Sequence, residues 1–128
     1  MPNGFHGPKE EWARMEAPYV RIDPILSAFA DRHALTLYKN YRDADRSLRF
    51  NDALSRAIWI AATDTYGANG TYQISVLAHQ DRPERYLKGT MVAEAVTVGD
   101  LDRTLEQAAA LVASWTERDL TLPTRERS

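Results

Sequence analysis

The chain has 128 residues, which is enough for one domain with a hydrophobic core and too few for two. Apolar residues make up 44% and charged residues 27%, as in ordinary soluble globular proteins, and the formal net charge of −2 provides no strong field for nucleic acid or an anionic membrane. There is no cysteine, which excludes a disulfide framework, a thiolate metal site and a cysteine nucleophile. The N-terminal residues have no secretory-signal pattern and no apolar run approaches the ~20 residues of a membrane helix, so we expect a soluble, cytoplasmic protein.

The N-terminal segment is interpreted as an arm, because glycine and proline punctuate it up to Pro18. Pro8 favours a short helix over Lys9–Met15, on which Trp12 and Met15 share a side. These two side chains either pin the arm to the body of the protein or dock on a partner subunit. The expected organisation is an arm (1–18), a single α+β domain (19–120) and a charged tail (121–128).

The first strongly patterned helix begins at Asp23-Pro24, where Asp23 is the expected N-cap and Pro24 the first helical residue. An apolar stripe at helical spacing follows and ends in the last turn with His33. On this stripe we expect His33 to be a half-buried packing residue and not a ligand. The stripe comprises Ile25, Leu26, Phe29, Ala30 and His33.

Five segments then have the composition of strands, with polar or glycine-rich breaks between them. The clearest pair flanks the break Asp64–Gly70 and predicts a β-hairpin with its turn centred near Ala68. In the last segment Gly89 suggests a bulge. The predicted strands are Thr36–Tyr41, Ser47–Phe50, Ala57–Thr63, Thr71–His79 and Tyr86–Val98.

Gly99-Asp100 is expected to cap a second helix, which has the clearest periodicity in the chain. Its apolar residues, spaced by four and three, are Leu101, Leu105, Ala108, Val112 and Trp115. Each helix must bury its apolar stripe, and a twisted antiparallel sheet can receive both on one face. The order therefore predicts an α+β two-layer sandwich, with four or five antiparallel strands and the N-terminal and C-terminal helices on one face.

Side chains alternate along a strand, so the faces of the sheet can be assigned by parity. A turn near Ala68 pairs Ile60 with Ile74 and Ile58 with Val76 on the face towards the helices. Leu48 and Phe50 are expected to join them. In the last strand we place Leu87, Gly89, Met91, Ala93 and Ala95 on this face, although Val92 and Val96 then fall on the other side.

The opposite face has no predicted element to cover it except the arm. It mixes Trp59 and Leu77 with cationic and hydrogen-bonding groups, a composition typical of an interaction surface. We expect Arg49 to lie opposite Trp59 in a cation–π contact. The candidate partner-binding residues are Arg49, Trp59, Ser75, Leu77, His79, Tyr86 and Lys88, and Gln73 and Thr90 share the face.

The sequence gives little support for metal binding, nucleophilic catalysis or phosphate binding, and we expect no cofactor. The histidines His6, His33 and His79 lack the spacing of a metal site. Ser75 and His79 are ~13 Å apart along one strand, too far for a nucleophile and its base. The loop Gly67–Gly70 joins two strands and lacks the lysine of a phosphate-binding loop.

The leading hypothesis is a small, non-enzymatic interaction or adaptor protein that binds a protein partner, or a second copy of itself, through the open sheet face. In its helix–sheet–helix order, size and mild acidity the chain resembles the dimeric chaperones of type III secretion, in arrangement and without a shared motif. The alternative is a small-molecule-binding protein or enzyme with a site near His79, Tyr86 and Arg85. A third hypothesis, ranked last, is single-stranded nucleic-acid binding by aromatic residues of the same face.

Overall fold

The computed structural model describes residues 7–51, 56–78 and 88–116. These residues form three helices and one antiparallel sheet in which every strand pairs with its neighbour in sequence, in the order β1-β2-β3-β4-β5. The elements are α1 (Gly7–Val20), α2 (Asp23–His33), β1 (Leu35–Lys39), β2 (Arg46–Phe50), β3 (Arg56–Ala62), β4 (Thr71–Ala78), β5 (Lys88–Thr97) and α3 (Val98–Ala113). The predicted α+β class is confirmed. None of the described helices has the length and apolar composition required to cross a bilayer.

The hairpin of β3 and β4 has the predicted register, with Ile60 opposite Ile74 and Ile58 opposite Val76. Its loop is closed by Asp64, whose carboxylate accepts hydrogen bonds from the backbone N–H groups of Ala68 and Asn69. The loop thus fixes a pairing that puts the large aliphatic residues of both strands on one face.

The helices α2 and α3 cover that face and bury their apolar stripes against it. All five residues of the predicted α3 stripe are buried, and each buried aliphatic side chain contributes ~1.5–3 kcal/mol. Polar contacts join α2 to α3: Arg32 pairs with Asp102 and Glu106 at 2.9 and 3.0 Å, and His33 lies 3.1 Å from Glu106. His33 also stacks on Phe29 with ring centroids 4.3 Å apart, but it is exposed and not half-buried as predicted.

Helix α1 is longer than the predicted Lys9–Met15 segment and ends only at Val20. Trp12 and Met15 pack against the core, as expected of residues that pin the N-terminal segment to the body. The hydroxyl of Tyr19 accepts a hydrogen bond from the backbone N–H of Ala62 at 2.8 Å, at the end of β3. Helix α1 therefore packs across the end of the sheet where β3 stops and β4 begins. The division of the chain at residues 18 and 120 stays a prediction.

A buried arginine ties α1, α2 and β2 together. Arg46 is 1% exposed and makes a two-pronged pair with Asp23, at 2.9 and 3.0 Å. It also donates to Glu16 of α1 at 3.2 Å and to the carbonyl of Ala44 at 2.6 Å. The prediction that Asp23 is the N-cap of α2 is wrong: the N-cap is Ile22, with no side-chain cap, because the carboxylate of Asp23 binds Arg46.

The predicted faces of β5 are only partly right: Ala93 lies opposite Ile74, on the side of α2 and α3 as expected, but three other residues lie on the opposite face from the one predicted. Gly89 lies opposite Leu77 and Met91 opposite Ser75, on the face away from α2 and α3, whereas Val96 is buried in the core. The register shifts twice between Tyr72 and Ser75, and each shift displaces the alternation of β5. The helix after it begins at Val98, with Thr97 at the N-cap position, so Gly99-Asp100 lies in the first turn and does not cap the helix.

Candidate functional site

The face of the sheet away from α2 and α3 presents two complete rows of side chains across the five strands. Because the strands are antiparallel, the residues of each row are directly opposed. The first row consists of Tyr38, Ser47, Trp59, Ser75 and Met91, and the second of Thr36, Arg49, Ala57, Leu77 and Gly89. Aromatic, hydroxyl, cationic and aliphatic groups are thus held on a rigid support of backbone hydrogen bonds.

A cavity of about 630 Å³, which we call the sheet cavity, opens on this face above β1, β2 and β3. Its size is in the range of sites that hold a small ligand or the anchoring side chain of a partner. The lining residues are Tyr38, Lys39, Asn40, Tyr41, Asp43, Asp45, Ser47, Arg49, Ala57, Trp59 and Leu77. More than half of this lining comes from β1, β2 and the turn that joins them.

The turn between β1 and β2 forms one wall of the sheet cavity. Asn40 closes it: its backbone N–H donates to the carbonyl of Asp45 at 3.0 Å, and its side-chain oxygen accepts from the N–H of Arg42 at 2.9 Å. Ala44 takes the left-handed backbone conformation, φ 64°, and is fully buried. Both Asp43 and Asp45 consequently line the sheet cavity.

Trp59 lies at the centre of the face and is held by Asp45. The indole N–H donates to Oδ2 of Asp45 at 2.5 Å, and the carboxyl group belongs to a residue that is only 5% exposed. Burial raises the pKa of Asp45; hydrogen bonds from Trp59 and Asn40 oppose this, and the like charge of Asp43 adds to it. The arrangement fixes the plane of the indole ring and places a desolvated carboxyl group beside it.

The cationic groups around the sheet cavity are engaged with other partners. The ammonium of Lys39 lies 2.5 Å from the carboxylate of Glu16, and this hydrogen bond lowers the pKa of Glu16. The guanidinium of Arg49 stacks over the ring of Tyr38 at 4.3 Å. Within the described ranges, no lysine or arginine forms an ion pair with Asp43 or Asp45. The sheet cavity therefore contains acidic groups without a cationic counterpart among these residues.

A second, smaller cavity of about 350 Å³ adjoins the sheet cavity and shares Asp43, Asp45 and Trp59 with it. Its outer wall is α1, which contributes Met15 and Tyr19. The two cavities together form a groove along the end of β3, and α1 determines where this groove stops.

The structure brings three of the predicted partner-binding residues together: Arg49, Trp59 and Leu77 all line the sheet cavity. Ser75 is the cross-strand neighbour of Trp59 on the same face but does not line the cavity. Lys88 is opposite Ala78, so its register position lies on the helix side of the sheet and the predicted placement is wrong. The same correction applies to Thr90, which is opposite Val76. His79, Tyr86 and Arg85 lie outside the described residues.

The predicted contact between Arg49 and Trp59 is also wrong. In the register of β2 and β3, Arg49 is opposite Ala57, and Trp59 is opposite Ser47. Arg49 therefore stacks on Tyr38 of β1, on its other side, while Trp59 is held by the turn.

The predicted partner-binding residues did not include five residues of the cavity lining: Tyr38, Tyr41, Asp43, Asp45 and Ser47. The sequence does contain a pattern that indicates Asp45. Ser47 and Arg49 alternate along β2, and Asp45 continues this alternation just before the strand begins. Extending that alternation one step before the strand would have placed Asp45 on the open face beside Trp59.

Among the described residues, no three histidine, aspartate or glutamate side chains come together as a metal site requires. Comparison of the chain with protein-family models, curated proteins and solved structures gave no significant match.

The burial of Asp45 predicts a specific dependence of stability on pH. Since its folded pKa is raised above the ordinary 3.8, the folded state binds this proton more tightly than the unfolded state does. The contribution of Asp45 to the free energy of unfolding therefore falls as pH rises from 3.8 through the raised value. Asp45→Asn keeps an oxygen that accepts from Trp59 and should remove this loss, so the variant gains stability relative to wild type across that window.

Urea denaturation followed by tryptophan fluorescence, from about pH 3 to about pH 8, measures the difference between the two proteins. Asp31→Asn makes the same charge change on the exposed surface of α2 and serves as the control. A difference between wild type and Asp45→Asn that stays constant over the whole series would contradict the prediction.

Proposed function

We propose that this protein is a small interaction protein, of adaptor or chaperone type, that binds a protein partner through the open face of its sheet. The observation that carries the proposal is the sheet cavity, which Trp59 lines, on the face that α2 and α3 leave uncovered. Binding on this face leaves the packing of α2 and α3 unchanged, because both helices pack on the other side of the sheet.

The composition of the cavity supports partner binding. Tyrosine, tryptophan and arginine are the residues that most often contribute the binding energy at protein interfaces, and they do so when they surround a pocket that an anchor can fill. Here Tyr38, Trp59 and Arg49 occupy adjacent strands with their orientations set by contacts within the protein. Little ordering is required on binding, so less of the interaction energy is lost as side-chain entropy.

The partner is either a different protein or a second copy of this chain. If two copies bind each other through this face, a two-fold axis would relate the two chains, and each would contribute the same residues to the interface. A cytoplasmic location belongs to the same proposal and is supported by a chain without cysteine, which suits a reducing compartment.

A second candidate function is binding of a small molecule in the same cavity, which its volume of about 630 Å³ favours. The predicted site near His79, Tyr86 and Arg85 lies outside the described residues. Nucleic-acid binding stays a prediction. The cavity does not support it, because Asp43 and Asp45 in the lining would repel phosphates.

A cross-linking experiment tests the proposal, and the absence of native cysteine makes the label unique. Leu77→Cys places a thiol on the open face, and Gln107→Cys places one on the exposed side of α3. Both full-length variants are labelled with a maleimide photo-cross-linker and irradiated in an extract of the source cells. We expect a defined protein adduct at position 77, identified by mass spectrometry, that is absent at position 107.

The adduct also distinguishes the two kinds of partner. An adduct of twice the mass of the chain indicates self-association, and Leu77→Ser should then reduce the mass measured by light scattering of the unlabelled protein. Equal adducts at both positions, or none at position 77, would overturn the proposal. A bound small molecule found by native mass spectrometry, with no adduct, would favour the second candidate function.

A further inference from the structure

We infer that the sheet cavity receives a cationic side chain, an arginine or lysine presented by an extended segment of the partner protein. The inference rests on the proposed function and adds the chemistry that the cavity selects. It follows from the combination of a cavity, two carboxyl groups and aromatic walls in one place.

Two aspartates of the β1–β2 turn, Asp43 and Asp45, line the sheet cavity. Burial disfavours ionisation of Asp45 and raises its pKa, and the like charge of Asp43 adds to this. A guanidinium or ammonium group between the two aspartates would relieve the repulsion of these like charges and form charge-assisted hydrogen bonds with both. The guanidinium of arginine suits two acceptors best, because its donors are arranged in a planar fork.

Aromatic rings line the same cavity. Tyr41 is 80% exposed, and one face of its ring is already stacked on Trp12, with centroids 6.0 Å apart and planes 15° from parallel. Trp59 is held in place by Asp45 and lines the same cavity. Aromatic rings next to carboxylates attract organic cations through the ring quadrupole as well as through charge.

Among the described residues, the nearby lysine and arginine side chains do not pair with Asp43 or Asp45. Lys39 is paired with Glu16 instead. Arg49 lies on the same face of β2, four residues from Asp45, or ~13 Å along the strand. An extended segment along β2 would therefore place its cation at the Asp45 end and a carbonyl or carboxylate group near Arg49.

The probe for this inference is N-acetyl-arginine amide, with the neutral isostere N-acetyl-citrulline amide as its matched control. Each is titrated into the full-length ¹⁵N-labelled protein, and the indole N–H signal of Trp59, assigned with Trp59→Phe, is followed by NMR. We expect saturable shifts with the arginine compound and none with the citrulline compound. Asp43→Asn should weaken binding about fivefold and Asp45→Asn about tenfold, whereas Asp31→Asn should leave it unchanged.

Each outcome decides between specific alternatives. Equal binding of the citrulline compound, or equal weakening by Asp31→Asn and Asp43→Asn, would overturn the inference. So would a failure of the arginine compound to shift the Trp59 signal. If the position-77 adduct forms and the arginine compound does not bind, the inference fails and the proposed function stands. If the arginine compound binds at Trp59 and no adduct forms, the cation site is supported and the proposed protein partner is not.

Discussion

Replacing Arg46 by methionine is expected to lower the free energy of unfolding by ~3–5 kcal/mol, because it removes one partner of a buried ionic network. Arg46 is 1% exposed, and its guanidinium neutralises Asp23 and Glu16 at distances of 2.9 to 3.2 Å. Methionine fills similar space but leaves both carboxylates without this counter-charge. Urea denaturation followed by tryptophan fluorescence measures the loss.

Arg49→Met is the matched control, since it makes the same change three residues along β2 on the opposite face. Arg49 is exposed and stacks on Tyr38, so we expect a loss of ~1 kcal/mol or less. Adding Asp23→Asn and Glu16→Gln to Arg46→Met should recover part of the loss, because the unpaired carboxylates are then removed. Equal losses for Arg46→Met and Arg49→Met would contradict the argument.

The parts of the fold that the sequence predicted well depend on local patterns. The β3–β4 register follows from a seven-residue break between two alternating segments, and the buried side of α3 follows from Leu101 and the four apolar residues that repeat after it. The faces of β5 were predicted only in part because bulges add residues to one strand at places that neither strand marks in its own sequence. The role of Asp23 was predicted wrongly because its carboxylate has two possible partners. It binds Arg46, 23 positions away, and does not cap the helix.

The candidate site was predicted only where it depends on the alternation of side chains along a strand. Parity along β3 and β4 placed Trp59 and Leu77 on the open face, and the structure brings them together with Arg49 around the sheet cavity. The acidic wall depends on the β1–β2 turn, in which the left-handed Ala44 reverses the chain. A left-handed alanine is uncommon, and position 44 carries neither the glycine nor the asparagine that favours this conformation, so the course of the turn and the position of Asp43 could not be derived from the local sequence.

Gly67→Ala is the second substitution with a large expected effect, because Gly67 is where the β3–β4 loop touches α1. Its φ is +72°, and a Cβ there would lie 2.9 Å from Cγ of Pro18 and closer still to its Cβ. The left-handed conformation costs ~1 kcal/mol or more and the clash with a rigid proline ring ~1–3 kcal/mol, so we expect a loss of ~2–4 kcal/mol in the free energy of unfolding. Thermal or urea denaturation measures it.

Gly70→Ala separates the two causes within the same loop. Gly70 has nearly the same backbone conformation, φ +67°, but a Cβ there would meet nothing within 4 Å. We therefore expect a loss of ~1 kcal/mol from the backbone alone. The excess for Gly67→Ala then measures how tightly the loop holds α1, and hence how firmly Met15 and Tyr19 wall the smaller cavity beside Trp59. Equal losses for the two variants would mean that α1 yields to the added methyl group, and that the end of the groove is not fixed by this contact.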